Sequence, residues 1–266
     1  MPLVIPTYGR AQRQKTFYNL PVDLRRITYL AIQKREEHLY GDEFPCKVVL
    51  PEHIQDIAST RDYLCHEVWP CDKLIMMDDD LEFAVRRSDD PTKFQDAFPE
   101  DINQMINALY VTLEGVAHTG VSPREGANRN TDDFCFNTRT MRVLGYNTKV
   151  LVQEHILFRP YTFMCDFGVT LELLTRGYDG IVLNHWVNNQ AGSDTRGGCS
   201  TQRTPELQAA AAYYLKERFP QFVTVVEKET KTSWGGGVRT DVRIQWKKAR
   251  LSAGKDSKPA LLDVGA

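Results

Sequence analysis

The sequence has no apolar run near the roughly 20 residues that span a bilayer, so it predicts no membrane-crossing helix. Its opening, Met1-Pro2-Leu3-Val4-Ile5, is too short for the apolar part of a secretory signal, and Arg10 follows it instead of preceding it. That points to a cytoplasmic protein. None of the six cysteines (Cys46, Cys65, Cys71, Cys135, Cys165, Cys199) forms a C-x-x-C pair. Zinc ribbons and disulfide frameworks are therefore not expected, and reduced, mostly buried thiols are. The complete G-x-G-x-x-G and Walker patterns are missing, as is any internal repeat. Net charge is almost missing too: −2 over 266 residues, which gives no overall reason to expect nucleic acid. What remains, 42% hydrophobic and 26% charged residues, is ordinary globular usage and enough for one large α/β domain or two small ones.

The charge is unevenly placed. Lys228, Lys231, Arg239, Arg243, Lys247, Lys248 and Arg250 stand against Glu229 and Asp241, a local +5. With Trp234 and Trp246 among them, this segment reads either as a solvated basic face or as a surface that meets phosphates and stacks on bases.

The chain turns on Lys73-Leu74-Ile75-Met76-Met77-Asp78-Asp79-Asp80. Four consecutive apolar residues predict a short strand buried on both faces, and it ends in three carboxylates. Adjacent like charges repel and each prefers water, so a core has no use for the three together. An isolated triplet reads as a solvated acidic turn. The buried strand before it favours a cation site instead. Mg²⁺ or Mn²⁺ takes one or two carboxylates and completes its shell with water and substrate phosphates. In open α/β sheets, ligands lie beyond the carboxyl ends of the strands, where this triplet falls. Asp78 and Asp80 are the candidate ligands, and Asp79 is expected to face away or meet a ribose.

Elsewhere, Leu3-Val4-Ile5-Pro6 predicts a strand leading into the small-residue turn Thr7-Tyr8-Gly9-Arg10, an edge for a nucleotide, with Arg10, Arg13 and Lys15 able to meet a diphosphate. A helix is expected over 13–19, strands over 27–32 and 47–50, and a helix over 54–68 that carries Arg61. Strand, helix, strand is the order of a parallel sheet. Arg61 is available to pair with the triplet or to cap a solvated face. Residues 86–99 read as a mobile loop. Residues 100–118 read as a helix with a core stripe at Ile102, Met105, Ile106, Leu109, Leu113 and Val116, stopped by Gly120. Ser122-Pro123-Arg124-Glu125-Gly126 is a charged loop, and Phe134-Cys135-Phe136 and Val150-Leu151-Val152 read as strands flanking Gly145. A helix opens near Asp166 and ends at Gly177; Ile181-Val182-Leu183 is a strand with His185 just beyond it. Residues 190–203 form a glycine- and hydroxyl-rich loop suited to close backbone approach. Thr204-Pro205 starts a helix that ends near Pro220. Residues 1–250 are expected to form a single domain, with a flexible tail over 251–266.

With these pieces in place the chain resembles the nucleotide-sugar glycosyltransferases of the GT-A fold, a Rossmann-like α/β architecture with a mostly parallel central sheet flanked by helices. The triplet looks like their D-x-D motif. Asp166 stands where their second acidic motif precedes a helix, with Cys165 in place of the usual Glu. His185 is similar in placement to the late histidine that completes many of their metal sites, with His155 competing. A closer resemblance is to the TET-associated glycosyltransferases of bacteriophages. It is carried by Ile5-Pro6-Thr7-Tyr8-Gly9-Arg10, the acidic strand, Ser122-Pro123-Arg124-Glu125-Gly126, Gly197-Gly198-Cys199-Ser200-Thr201 and Lys231-Thr232-Ser233-Trp234-Gly235-Gly236.

That resemblance implies an enzyme dependent on Mn²⁺ or Mg²⁺ that uses a nucleotide-diphosphate sugar, expected to be a UDP-sugar. Its implied acceptor is the hydroxyl of a 5-hydroxymethylpyrimidine, 5-hydroxymethylcytosine first, in phage DNA within the infected host's cytoplasm. Asp78, Asp80 and His185 would then hold the metal, Pro6, Thr7, Arg10, Arg61, Asp78 and Asp79 would meet the donor, and Asp166 would be the base of an inverting reaction. Trp234, Lys247 and Lys248 of the basic segment, with Arg124, are the residues expected to hold DNA. Rival readings keep the fold with a polysaccharide or other small acceptor, or change the class to a metal-dependent nuclease or a non-catalytic DNA-binding module.

Overall fold

The computed structural model describes residues 2–190, 198, 203–230 and 237–259. Its first elements are β1 (Leu3–Pro6), α1 (Lys15–Asn19), α2 (Val22–Ile27), β2 (Thr28–Gln33), β3 (Cys46–Leu50), α3 (Ile57–Tyr63) and β4 (Lys73–Met77). There follow β5 (Leu81–Arg86), β6 (Phe94–Asp96), α4 (Pro99–Gly115), β7 (His118–Pro123), the short turn α5 (Arg124–Ala127), β8 (Phe134–Phe136), β9 (Val143–Asn147) and α6 (Thr148–Gln153). The last are α7 (Cys165–Thr175), β10 (Gly180–Gln190), α8 (Pro205–Arg218), β11 (Val223–Thr230), β12 (Gly237–Ile244) and α9 (Trp246–Leu251).

One large sheet runs β3-β2-β1-β4-β9-β7-β10-β5-β6, with β8 paired to β10. Its first four strands are parallel, as the strand–helix–strand order predicts. Beyond them the sheet is mixed: β9 is antiparallel to β4 and β7, β7 and β10 are parallel, and β5, β6 and β8 pair antiparallel. β4 is buried on both faces because successive side chains leave a strand on opposite sides. Ile75 and Met77 join the layer under Ile102, Met105, Ile106 and Leu109 of α4. Leu74 and Met76 face the layer with Leu171 and Leu174 of α7 and Ala212 and Leu215 of α8. α8 is capped as expected, Leu207 N–H donating to Thr204 Oγ1 at 3.3 Å. α7 ends in Gly177 at φ +95°, with Gly177 N–H on Leu174 O and Tyr178 N–H on Leu173 O.

Several expectations are corrected. α4 stops at Gly115, and Gly120 instead lies inside β7, where a side chain would meet Val143 O at 2.6 Å. Val150-Leu151-Val152 belongs to α6, while the strand is β9 with Gly145 inside it. Short apolar runs do not declare helix or strand by periodicity, and here tertiary packing chose. The 86–99 loop begins with buried Arg86, whose guanidinium donates to Asn184, Pro91, Ala127 and Asn130 carbonyls, and continues into β6 paired with β5. After Ser252 the described residues fold back: Lys258 N–H donates to Gly177 O and Arg250 donates to Gly254 and Asp256 carbonyls.

Candidate active site

Because β1 and β4 are parallel neighbours, Thr7 and the acidic triplet emerge at the same sheet edge. Thr16 fixes the turn between β4 and β5. Its hydroxyl donates to Asp78 O at 2.5 Å and accepts from Leu81 N–H at 2.8 Å, and its own N–H donates to Asp79 O at 3.0 Å.

This backbone splits the triplet. Asp79 and Asp80 turn inward. Asp79 accepts from Thr7 Oγ1 at 2.6 Å and Arg10 Nη1 at 2.5 Å. Asp80 accepts from Arg10 Nη1 at 2.8 Å and from Gln190 Nε2 at 2.8 and 2.9 Å. Gln14 Nε2 braces the turn through Thr7 Oγ1 and Arg10 O. Burial pushes the Asp79 carboxyl up, against the pull of Arg10 and Thr7. Of the two placements expected for Asp79, the structure shows the side chain turned away from that of Asp78: it is an inner anchor, 4% exposed, with Arg10 clamped between it and Asp80.

Asp78 faces the other way, its side chain 34% exposed and 3.5 Å from Arg61 Nη2. Burial pushes its carboxyl up to about 6; Arg61 opposes the shift, and the charges of Asp80, Asp79 and Asp166 reinforce it. Arg61, buried, also donates to Cys165 Sγ at 3.0 Å. Cys165 starts α7, so the next residue, Asp166, lies beside this group, and its charge is felt at both Asp78 and Arg61. Asp166 Oδ2 accepts from Arg139 Nε at 3.2 Å and Nη2 at 2.9 Å. Arg139 in turn lies 3.8 Å over the Phe167 ring, and Phe167 stacks on Trp246 at 5.9 Å.

Other candidates lie apart. His185 is exposed inside β10, edge-on to Trp186, and not beyond the strand. β10 is antiparallel to β5, so its end, Gln190, is what pairs with Leu81 beside Asp80. His185 is five residues back along the strand, about 3.3 Å each. That is too far to join these acids as a ligand. His155 is exposed in the turn after α6. Among the described residues no three His, Cys, Asp or Glu side chains converge on one cation. Pro6 ends β1, half-buried, at the edge that carries Thr7. Arg124 is exposed near Glu82. Lys247 and Lys248 are exposed on α9, but Arg250 is buried against Asp179 at 2.8 Å and serves packing. Trp234, Gly197 and Cys199 lie outside the described residues. Sequence reasoning missed Gln14, Thr16, Arg139 and Gln190, because an uncharged or paired polar residue carries no pattern until its partner is in place.

The carboxyl ends of β1 and β4, with their polar turns and the start of α7, put the candidate site of this α/β protein at the strand ends, where open α/β sheets bind ligands. The sequence matches the family model of the TET-associated glycosyltransferases over residues 1–198, and the chain belongs to that family. It is 20% identical over 229 residues to the beta-glucosyl-HMC-alpha-glucosyl-transferase of Enterobacteria phage T6, covering 82% of this chain and 81% of that protein. The enzyme of the same name from Enterobacteria phage T2 is similar to the same extent.

Proposed function

We propose that the protein moves a sugar from a nucleotide-diphosphate sugar, expected to be a UDP-sugar, to the hydroxyl of a 5-hydroxymethylpyrimidine, cytosine derivative first, in phage DNA. The observation that carries this reading is the meeting of Asp78, Arg61 and Asp166 at the strand ends of a glycosyltransferase-family chain. The named relatives act, by their names, on glucosyl-HMC, which supports the acceptor class.

The residues fit a divalent cation. Asp78 is a partly open carboxylate whose charge is made costly by burial and three neighbouring acids, and Mg²⁺ or Mn²⁺ needs only one or two carboxylates besides substrate phosphates. Asp78 would hold the ion, with substrate phosphates and water completing its shell, whereas Asp80, expected as the second ligand, is turned inward onto Arg10 and Gln190; once bound, the ion would offset charge on the departing diphosphate. Arg61 would add its charge on the same side. Arg10 would hold the turn rigid through Asp79 and Asp80, beside Pro6 and Thr7. In an inverting transfer Asp166 would take the proton of the acceptor hydroxyl as that oxygen bonds the anomeric carbon and the diphosphate leaves. Lys247 and Lys248 would meet phosphates of the acceptor, with Arg124 and Trp234 as further contacts.

The test is to incubate the protein with UDP-glucose and other nucleotide sugars, Mn²⁺, and plain or hydroxymethylated DNA. Free nucleotide and a one-sugar mass gain on hydroxymethylated DNA alone are expected. Strand cuts would indicate a nuclease, and sugar on no DNA substrate would remove the acceptor.

A further inference from the structure

A pocket of about 400 Å³ opens between Asn137 and Thr138 on one side and Gln245, Trp246, Lys247 and Lys248 on the other. Both walls are tied to one carboxylate. Asn137, at φ +53°, donates from Nδ2 to Asp179 Oδ1 at 2.9 Å, and its Oδ1 accepts from Gly180 N–H at 3.0 Å. Arg250, at the far end of α9, donates to the same Asp179 oxygen at 2.8 Å. The fold itself thus fixes both walls of this shallow, solvent-open groove.

Its position is informative. Trp246 in its wall is the outer ring of the column Arg139–Phe167–Trp246, whose inner end, Arg139, grips Asp166. The pocket thus lies one ring stack away from the helix that carries Asp166. Lys247 and Lys248 stand exposed at its rim, with no ion pair among the described residues. An aromatic ring beside unpaired cations is the chemistry that binds a nucleic-acid strand, the ring taking a base face and the cations its phosphates. Solvated cations alone need no pocket, and two exposed lysines beside the ring favour a ligand that carries phosphates over a neutral sugar.

We infer that this pocket holds a nucleobase of the acceptor strand next to the one being modified, stacked on Trp246, with its phosphates on Lys247 and Lys248. The inference rests on the DNA-acceptor reading above and adds where the strand lies. Because the ring must be reached face-on, the strand enters unpaired, single-stranded or with bases flipped out.

The experiment compares two acceptors in the full chain: a single-stranded oligonucleotide containing 5-hydroxymethylcytosine and the free nucleoside 5-hydroxymethyl-2′-deoxycytidine. Two variants are used, Lys247→Ala/Lys248→Ala and Thr138→Trp; the second fills the pocket from the wall that does not carry α9. In both, the ratio of kcat/KM on the oligonucleotide to that on the nucleoside should fall about tenfold, the scale of one lost stack or of two lost phosphate contacts. The lysine variant should also flatten the salt dependence of oligonucleotide binding by roughly 0.7 in log–log slope per lost contact. A wild type that glycosylates the oligonucleotide while both variants keep its ratio overturns the pocket alone. So does an equal loss on both acceptors, which marks a structural effect. A wild type that glycosylates hydroxymethylated duplex DNA but not the oligonucleotide overturns the pocket alone, and one that glycosylates neither these acceptors nor duplex DNA overturns the DNA reading and the pocket with it.

Discussion

Replacing Arg10 by Met should destabilise the protein more at neutral than at acid pH. Arg10 lies buried between Asp79, 2.5 Å away, and Asp80, 2.8 Å away. Methionine keeps most of the volume and removes the charge, leaving two inward carboxylates with only Thr7 and Gln190 as donors from this group. Removing one partner of a buried ion pair costs about 3–5 kcal/mol. At roughly 2–4 °C per kcal/mol for a chain of this size, Tm should fall by about 6–20 °C at pH 7.5. Asp79 sets the pH dependence. Burial already raises its carboxyl, and Arg10 opposes that rise; without Arg10 it climbs further. A carboxyl whose folded pKa lies above its unfolded value penalises the native state once ionised. The penalty is complete above the folded pKa and fades as pH falls toward the unfolded value near ~3.9. Urea unfolding should thus give a smaller deficit at pH 5 than at pH 7.5, and Arg10→Met/Asp79→Asn should recover much of it. The clamp is refuted if the single variant stays within about 1 kcal/mol of wild type at pH 7.5, or if the second substitution recovers nothing.

Asp78→Asn should lose sugar transfer and its stimulation by Mn²⁺ while its circular dichroism matches wild type, since this carboxylate is partly open to solvent. Asp166→Asn should still bind the nucleotide sugar by calorimetry but turn over about 10²–10⁴-fold more slowly, as for a lost general base. His118 is fully buried with no hydrogen-bond partner for either ring nitrogen among the described residues, and burial holds it down to about 4. The unfolded chain then takes up this proton first, so up to about 3 kcal/mol should be lost as pH falls from about 6.5 to 4, and His118→Phe should flatten that part of a Tm-against-pH curve. Gly168→Ala would set a Cβ 2.0 Å from the Tyr161 ring, and overpacking of this kind should lower stability by about 1–3 kcal/mol in urea unfolding.

What the sequence determined by itself was what neighbours in the chain can encode. Lys73–Met77 is a buried strand because its apolar run is unbroken, and its end carries acids whatever surrounds it. Thr204 caps α8 and Gly177 closes α7 because side-chain length and a positive φ act within a turn. The stripe along α4 follows from helical spacing alone. Tertiary structure decided what depends on distant partners. Val143–Asn147 is a strand because Lys73–Met77 and His118–Gly120 lie on either side of it, whereas the equally apolar Val150–Val152 pairs with no strand, packs against the helical turn Leu64–Val68 and coils. Nothing local distinguishes Asp78 from Asp79 and Asp80. Arg10, Thr7 and Gln190 draw two of them inward, and Arg61, brought in by α3, pairs with the third on the other side. Likewise Arg250 and Lys248 look alike in a basic run, yet Asp179 buries one and leaves the other in solvent. A charge's role is set by the potential at its position, and that potential comes from residues tens to hundreds of places away.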